Sequence, residues 1–537
     1  MTNFGTLNWT ILIVYILANL ILGFVLSKNV KTADDFYVGR RTTPWWAIGI
    51  SVFATYVSAL TFLGAPAWSY NTSFSVIALH INYPIVIFVV ISFFLPFFFN
   101  SGVASIYDYQ EKRFGEKSRI TISAIFLLTR LLVTAAILYG TSLVVAYITG
   151  INVIAAIVIV TVIALIYTVL GGITAVIWTD LIQTVILMLG VGIIVYALFN
   201  ELPQPLLETL TNLKRQGKLN AIDFSPDITK ESTIWAGVIA MTLYHITVYG
   251  ADQMMVQRVL ASKNIGDAKK SFLVMGFAAF LIYFLFLLLG VLFYAYYNGK
   301  PFENNNLIIL EFVNEISIPG LMGIIVAAIV AASMSSLDSF FNSMATIATV
   351  DFYEKYYNKN ASPEHYLKAT RWFTVFWAFM IMIPAIIYTQ TDASILKLIS
   401  EIGAYFVGAK LAMFGLGFFS KHTTERGLLW GVLVGLVGVI VIAQTTEIAW
   451  PWFCLIGAVI NIAIAIPLSI ALDGHQEEWS RYTVKGQQAY FQREGLPEKD
   501  GNWYLIPGKI DKVSYVLLVF FVVSLVALWS FENWIQV

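Results

Sequence analysis

Residues 331–353 read AASMSSLDSFFNSMATIATVDFY, a run that places hydroxyl groups and a carboxylate inside an otherwise apolar segment. The side chains that supply oxygen are Ser335, Ser336, Asp338, Ser339, Asn342 and Ser343. Buried polar groups without partners are costly in a lipid bilayer, and hydroxyl and carboxylate oxygens are the ligands that a small hard cation prefers. The run therefore indicates a cation or solute pathway. Close packing between helices is the alternative explanation for the serines alone.

The rest of the chain has the composition of a helical membrane protein. Of its 537 residues, 58% are hydrophobic and 12% are charged, whereas soluble domains carry about 25% charged residues. The net charge of zero gives no reason to expect a nucleic-acid partner, and the single cysteine, Cys454, excludes a disulfide framework. The five histidines show no metal-ligand spacing, so no enzymatic activity is expected. Apolar runs predict about fourteen spans, at 8–27, 44–68, 74–99, 120–148, 152–171, 175–199, 233–256, 270–295, 318–346, 369–388, 394–419, 427–445, 449–471 and 512–531.

Lysine and arginine are unevenly distributed between the predicted loops. Of the 32 basic residues, 24 fall on one side of the spans, with Arg258 counted among them. The other side holds Lys214, Arg215, Lys218, Lys230 and Lys300. Because basic loops stay in the cytoplasm, both termini are predicted to lie outside the cell membrane, which would be the inner membrane in a Gram-negative organism.

Two spans carry signals of interruption. The second, SVFATYVSALTFLGAPAWSY (51–70), holds Gly64 and Pro66, which free helix carbonyls, although a simple kink is the alternative at Pro66. The seventh, TLYHITVYGADQMMVQR (242–258), holds Gly250. Broken helices in transporters lie at the membrane midplane, where loose carbonyls bind the coupling ion. The offset of five spans predicts two inverted repeats.

Several single polar residues allow two interpretations. Asp180 follows Trp178 near the predicted start of a helix and is either a helix cap or a cation ligand. His80 is either a core histidine or a ligand, and Lys410 marks either a pathway or a buried pair, with Asp338 as a candidate partner.

Three motifs resemble the sodium:solute symporter family. They are KTADDFYVGRRTTPWWAIGISVFATYVSALTFLG (31–64), GGITAVIWTDLIQ (171–183) and the run at 331–353. The resemblance covers about residues 8–471 and implies an all-α, LeuT-like five-plus-five inverted-repeat fold with an extra helix before it. It divides the chain into 1–43 (extra span and inside loop), 44–199 (first repeat), 200–232 (outside loop), 233–419 (second repeat) and 420–537 (accessory spans, with an inside linker at 472–511).

The resemblance also implies three sets of site residues. The sodium site would use the carbonyls of Ala54, Val57 and Ala332 and the hydroxyls of Ser335 and Ser336. A possible second cation site would use Asp180, Asp338 and Ser339. The solute site would use Tyr56, Ser58, Thr61, His80, His245, Tyr249 and Ser400. The sugar ligands of the family's galactose transporter are not retained. Val133 takes the place of the arginine that binds the carboxylate in the sialic acid member, and Arg130 is the nearest basic residue.

We therefore expect sodium-coupled symport of a small polar organic solute into the cell by alternating access. The solute would be a sugar derivative, a sialic acid or a carboxylate, and the partners are Na+, the solute and the lipid bilayer. A uniporter or channel on the same fold is the first alternative, which uptake without sodium would support. A transporter-like sensor is the second. Such sensors carry fused signalling domains, and we expect none here.

Overall fold

The computed structural model describes residues 4–28, 30–101, 105–390 and 395–535, and it is mostly helical. The first half contains α1 (Gly5–Ser27), α2 (Ala33–Val38), α3 (Trp45–Tyr56), α4 (Ala59–Asn71), α5 (Tyr83–Val89), α6 (Leu95–Ser101), α7 (Asp108–Arg113), α8 (Glu116–Thr149), α9 (Val153–Glu201) and α10 (Leu206–Arg215). The second half contains α11 (Thr242–Gly250), α12 (Gln253–Val259), α13 (Ile265–Tyr296), α14 (Ile308–Ile316), α15 (Leu321–Ile347), α16 (Pro363–Tyr388), α17 (Ile395–Phe419), α18 (Glu425–Thr445), α19 (Phe453–Asp473), α20 (Val484–Arg493) and α21 (Tyr515–Trp534).

Short irregular helices extend several of these elements. Tight 3-10 turns lie at Gly39–Arg41, Phe74–His80, Asn305–Leu307, Trp450–Trp452 and Lys512–Ser514. Wide π turns lie at Val90–Phe94, Ala236–Met241 and Ala348–Tyr357. Two short antiparallel strands, β1 (Lys499–Asp500) and β2 (Trp503–Tyr504), form a hairpin after α20.

Within the described residues, ten helices are long and apolar enough to cross a membrane, and the bent pair α3–α4 makes an eleventh. Three shorter apolar helices, Val153–Ile166, Ala236–Gly250 and Gly403–Phe419, fall in the remaining predicted spans. The prediction of an all-α polytopic membrane protein is confirmed. The count of fourteen spans stays a prediction.

The second span is interrupted, but earlier than predicted. The helical segments Trp45–Tyr56 and Thr61–Asn71 meet at 50°. The break occurs at Ser58, whose backbone is extended and whose side chain accepts a hydrogen bond from Thr61 N at 3.4 Å, so that it caps the new helix. The placement of the break at Gly64 and Pro66 is therefore wrong, since both lie inside α4.

Packing against α13 explains why α4 tolerates Pro66. Gly290 lets the two helices approach closely, because a Cβ atom there would lie 2.2 Å from Pro66 O. Ser69, one turn later, donates a hydrogen bond to Leu287 O at 2.7 Å across the same contact. Neighbouring helices that satisfy backbone groups in this way allow proline inside a membrane helix.

Two further predicted interruptions agree with the structure. In the seventh span, α11 ends at Gly250 and α12 begins at Gln253, and Asp252 caps α12 by accepting Met254 N at 3.2 Å. The boundary between the fifth and sixth spans is a kink in α9 at Gly172, which has φ 56° and ψ −159°. A Cβ atom there would also lie 2.9 Å from Phe36 Cα, so both conformation and space favour glycine.

The polar segment 472–511, predicted as an inside linker, packs closely on the bundle. It carries α20 and the β1–β2 hairpin. Asp511 Oδ2 lies 2.6 Å from Lys269 Nζ, and the two side chains are at most 1% exposed. Gly508 N also donates to Ser92 O at 2.9 Å. The segment is therefore a folded cap over the start of α13.

Asp511→Asn should lower the free energy of unfolding by about 3–5 kcal/mol, because it leaves the Lys269 ammonium group buried without its counter-charge. The melting temperature of the purified protein measures this loss. The double variant Lys269→Met/Asp511→Leu removes both charges and should recover most of the stability. Lys270→Met is the matched control, since that lysine is 41% exposed. Equal melting temperatures for Asp511→Asn and wild type would contradict the prediction.

Candidate functional site

The break between α3 and α4 removes the usual donors from two buried carbonyls. Ser58 N donates to Tyr56 O at 3.1 Å instead of to Ala54 O, its acceptor in a continuous helix. Thr61 N donates to Ser58 Oγ instead of to Val57 O. Ala54 and Val57 are both buried, so oxygens without these donors favour a replacement partner. These are two of the predicted sodium ligands.

Ser336 connects α15 to this break. Its hydroxyl oxygen lies 3.1 Å from Thr55 O and 3.3 Å from Ala332 O. Ser335 faces another neighbour and donates to Asp180 Oδ1 at 2.5 Å. A hydroxyl that donates its proton keeps lone pairs that can still bind a cation. The structure thus brings Ser336 to the last turn of α3 before the break, and Ser335 connects α15 to Asp180.

Asp180 is fully buried, and each of its carboxylate oxygens accepts a hydrogen bond from a serine. The donors are Ser51 Oγ to Oδ2 and Ser335 Oγ to Oδ1, both at 2.5 Å. The helix-cap interpretation is wrong, because Asp180 lies more than a turn beyond the kink at Gly172 and points at other helices.

The other residues of the predicted second cation site adjoin the same cluster. Ser339 Oγ lies 3.1 Å from Asp338 Oδ1 and 3.4 Å from Thr55 Oγ1. Asp338 and Ser339 are both buried. Two carboxylates, Asp180 and Asp338, therefore flank one group of hydroxyls that extends from α3 to α15.

Arg258 on α12 also contacts this cluster, and the sequence analysis missed it. Its Nη2 atom lies 3.6 Å from Asp180 Oδ2 and also donates to Ser339 Oγ. Its Nε atom donates to Ser51 Oγ at 2.9 Å. The side chain is 1% exposed, so its assignment to an inside loop is wrong. The available signal was its position eight residues after Gly250, about two helical turns, within the second half of an interrupted span.

Lys410 lies in a buried ion cluster, but its carboxylate partner is Asp252 rather than Asp338. Lys410 Nζ lies 3.3 Å from Asp252 Oδ2. The same oxygen accepts hydrogen bonds from Arg130 Nε at 3.1 Å and Arg130 Nη2 at 2.5 Å. The break between α11 and α12 places Asp252 where α8 and α17 can both reach it.

The predicted solute residues gather around Tyr56, next to the break. Tyr56 OH lies 3.2 Å from His245 Nε2, and its ring centroid lies 5.5 Å from that of Tyr249. Thr61 Oγ1 lies 3.5 Å from Tyr56 O, and Ser58 caps the same turn. Within the described part of the chain, the buried hydroxyl of Tyr249 has no hydrogen-bond partner.

Two tyrosines that the sequence analysis missed complete the cluster. Tyr83 OH lies 2.5 Å from Tyr56 OH and 2.9 Å from His80 Nδ1. Tyr283 stacks on His80 with ring centroids 3.6 Å apart, and its hydroxyl lies 3.4 Å from Thr61 Oγ1. Tyr83 follows His80 by three residues, and Tyr283 is an isolated phenol in an apolar span, which are the signals that could have found them. The side chain of Ser400, the remaining predicted residue, lies outside the described residues.

Asn82 fixes the orientation of His245. Its Nδ2 atom donates to Leu79 O at 2.9 Å and Gly237 O at 3.0 Å, so its Oδ1 atom is the acceptor that faces His245 Nδ1 at 2.7 Å. In the singly protonated imidazole ring, Nδ1 then carries the proton, and Nε2 accepts from Tyr56 OH. The cluster is a connected set of hydroxyl and imidazole groups with aromatic faces, which suits a polar organic molecule.

The sodium:solute symporter family profile matches residues 36–435, which is most of the chain. The chain belongs to the sodium:solute symporter family. It is a multi-pass membrane protein that transports a solute with Na+, and it is not an enzyme.

The symporter is similar to curated relatives over most of its length. It is 29% identical to the sodium/sialic acid symporter SiaT of Proteus mirabilis, over 86% of this chain and 94% of that protein. It is 26% identical to the sodium-coupled monocarboxylate transporter 2 of Danio rerio, over 77% of this chain and 67% of that protein.

Solved structures share the symporter's fold. A substrate-bound, outward-open sodium-coupled sialic acid symporter has a TM-score of 0.80 at 27% identity, covering 89% of this chain and 100% of that one. The inward-facing conformation of Mhp1 has a TM-score of 0.53 at 14% identity, covering 88% and 98% of the two chains, which supports the fold alone.

Proposed function

We propose that this symporter uses the sodium gradient to import a sugar derivative, a sialic acid or a carboxylate by alternating access. The observation that carries the proposal is the single break at 57–58. Tyr56 belongs to the solute cluster, whereas the carbonyls of Ala54 and Val57 on either side of it lack their helical donors. A ligand at either site changes the same backbone turn, so binding of the ion and the solute would be energetically coupled.

The sodium ion would bind the carbonyl oxygens of Ala54, Val57 and Ala332 and the hydroxyl oxygens of Ser335 and Ser336. All are neutral oxygen ligands of the kind that hard cations take. The contact of Ser336 with Thr55 O and Ala332 O supports this assignment, because it joins the two helices that would share the ion. A second cation would be held by Asp180, Asp338 and Ser339, where Arg258 now supplies positive charge.

The solute would bind between the aromatic faces and hydroxyls of the Tyr56 cluster. Its predicted ligands are Tyr56, Ser58, Thr61, His80, His245 and Tyr249, with Tyr83 and Tyr283 added by their contacts. The names of the sialic acid and monocarboxylate relatives favour an acidic solute.

The proposed architecture is two inverted repeats, 44–199 and 233–419, preceded by an extra span at 1–43 and followed by accessory spans at 420–537. The outside loop is 200–232. The interruptions between α3 and α4 and between α11 and α12 support this division, because they fall at matching places in the two repeats. Fourteen spans in the cell membrane, with both termini outside, complete the proposal.

Uptake into liposomes tests the proposed function. With an inward sodium gradient, the purified symporter should accumulate a sialic acid, a hexose or a small monocarboxylate, and should not do so in potassium alone. Accumulation of the solute that is independent of sodium would overturn the proposal and favour a uniporter. Uptake of choline or betaine, with none of the sugars or acids, would overturn the solute class.

His245→Phe should raise the half-saturating solute concentration about tenfold, because it keeps the ring but releases Tyr56 OH and Asn82 Oδ1, which the imidazole holds in place within the cluster. Concentration-dependent uptake at saturating sodium measures the change. Tyr196→Phe is the control, since Tyr196 is 72% exposed and far along the chain from the cluster. An unchanged half-saturating concentration in His245→Phe would remove His245 from the solute site.

A further inference from the structure

A small cavity lies beside the solute cluster, between α8, α11 and α17. Its volume is about 110 Å³, and its polar lining comes from Thr129, Arg130, Tyr244, Thr247, Asp252 and Lys410. We propose that this cavity binds a carboxylate group, and that the cotransported solute is therefore a carboxylate. The inference rests on the proposed function and names the substrate class within it.

The charge of the cavity favours an anion. Arg130, Asp252 and Lys410 have side chains that are 12%, 2% and 3% exposed, and together they carry one excess positive charge. Both cations bind the same atom, Asp252 Oδ2, while Oδ1 accepts Met254 N. Among the described residues that line the cavity, one carboxylate faces two buried cations, and an uncompensated charge in low dielectric is costly. A bound anion would supply the missing charge.

The other groups of the lining suit a carboxylate. Tyr244 lines the cavity and carries a hydroxyl group that can donate to an anion. Phe340 lies 5.3 Å from the Arg130 guanidinium, and Phe126 lies 5.4 Å from the Lys410 ammonium, so an aromatic ring covers one side of each cation. Buried arginine and lysine side chains bind carboxylates by strong charge-assisted hydrogen bonds.

The position of the cavity links it to transport. Tyr244 and Val248 line the cavity, and their neighbours His245 and Tyr249 belong to the solute cluster. The helix α11 therefore contributes side chains both to the cavity and to the solute cluster. The volume is small beside the roughly 300–1,000 Å³ of pockets for drug-sized ligands. It accommodates a carboxylate on a short carbon chain, and not a whole sugar acid.

Thermal shift on the purified full-length symporter tests the inference without transport. In sodium-free buffer of constant ionic strength, L-lactate should raise the melting temperature saturably, and its uncharged isostere lactamide should not. Lys410→Met removes the excess charge and should weaken lactate binding at least tenfold. Asp252→Asn adds to the excess charge and should tighten lactate binding. Lys270→Met, which removes an exposed lysine, controls for the overall change in charge.

Each outcome bears on the carboxylate site separately from the proposed function. Equal stabilisation by lactamide, or unchanged lactate binding in Lys410→Met, would overturn the inference. Saturation by chloride without competition from lactate would also overturn it, because the site would then hold an inorganic anion. Weaker lactate binding in Asp252→Asn would contradict the charge argument even if Lys410→Met did not fold. Sodium-driven uptake of a neutral sugar without lactate binding would end this inference and leave the symport proposal intact.

Discussion

Arg258→Met should make the symporter unstable in sodium-free buffer, and sodium should restore part of the lost stability. The substitution leaves Asp180, which is fully buried, without the guanidinium group 3.6 Å away. Breaking a buried ion pair in this way costs about 3–5 kcal/mol. Sodium can replace the lost charge, because Ser51, Ser335 and Asp180 still supply oxygen ligands. The measurement is the melting temperature in sodium chloride against potassium chloride at equal ionic strength.

Two further variants separate charge from packing. The double variant Arg258→Met/Asp180→Asn removes both charges and should regain most of the stability, because an uncharged buried pair carries no ionic desolvation cost. Its response to sodium should return to that of wild type, since only the additional sodium effect of Arg258→Met depends on the charge of Asp180. Arg258→Lys keeps the charge but loses the planar fork that contacts Ser51 and Ser339, so it should fall between the two. A melting temperature for Arg258→Met that matches wild type in both salts would show that Arg258 does not compensate Asp180.

The sequence indicated the polar helix correctly because its signal is local. Hydroxyls and a carboxylate within an apolar run of α15 are visible without any partner, and the structure brings Ser335 and Ser336 into contact with Asp180 and Thr55. The kink at Gly172 and the end of α11 at Gly250 were also predictable, because glycine weakens a helix wherever it occurs.

The features that the sequence did not reveal depend on contacts between distant segments. Pro66 is a strong helix breaker in isolation, but packing at Gly290 allows it inside α4, and the cap at Ser58 moves the break two turns earlier. The sequence alone places Arg258 in a loop. Only the packing of α12 against α3 and α15 shows that its side chain is buried against Ser51 and Ser339. The sequence distinguishes Tyr83 and Tyr283 only weakly from other residues of apolar spans. Their role in the cluster follows from their contacts with His80, which the fold brings about. Long-range packing decides each of these cases.

Ser336→Ala should raise the half-saturating sodium concentration for uptake by about 10–100-fold, because a hydroxyl bound to a charged group contributes roughly 1.5–3 kcal/mol. Ser336 lies between Thr55 O and Ala332 O in a fully buried position, so water cannot replace the lost oxygen without displacing α15 from the break. Initial uptake rates over a sodium series, corrected for the amount of protein in the membrane, give the measurement.

Ser343→Ala is the matched control for this effect. Ser343 lies two turns further along α15, is equally buried, and hydrogen-bonds to Phe340 O within its own helix. Its loss should change expression as Ser336→Ala does, but not the sodium dependence. Ser335→Ala should also weaken sodium binding, with an added cost in stability because it removes a donor from Asp180. Sodium dependence that stays at the wild-type value in both Ser335→Ala and Ser336→Ala would place the coupling ion elsewhere, and the shared break at Tyr56 would then no longer explain how ion and solute are coupled.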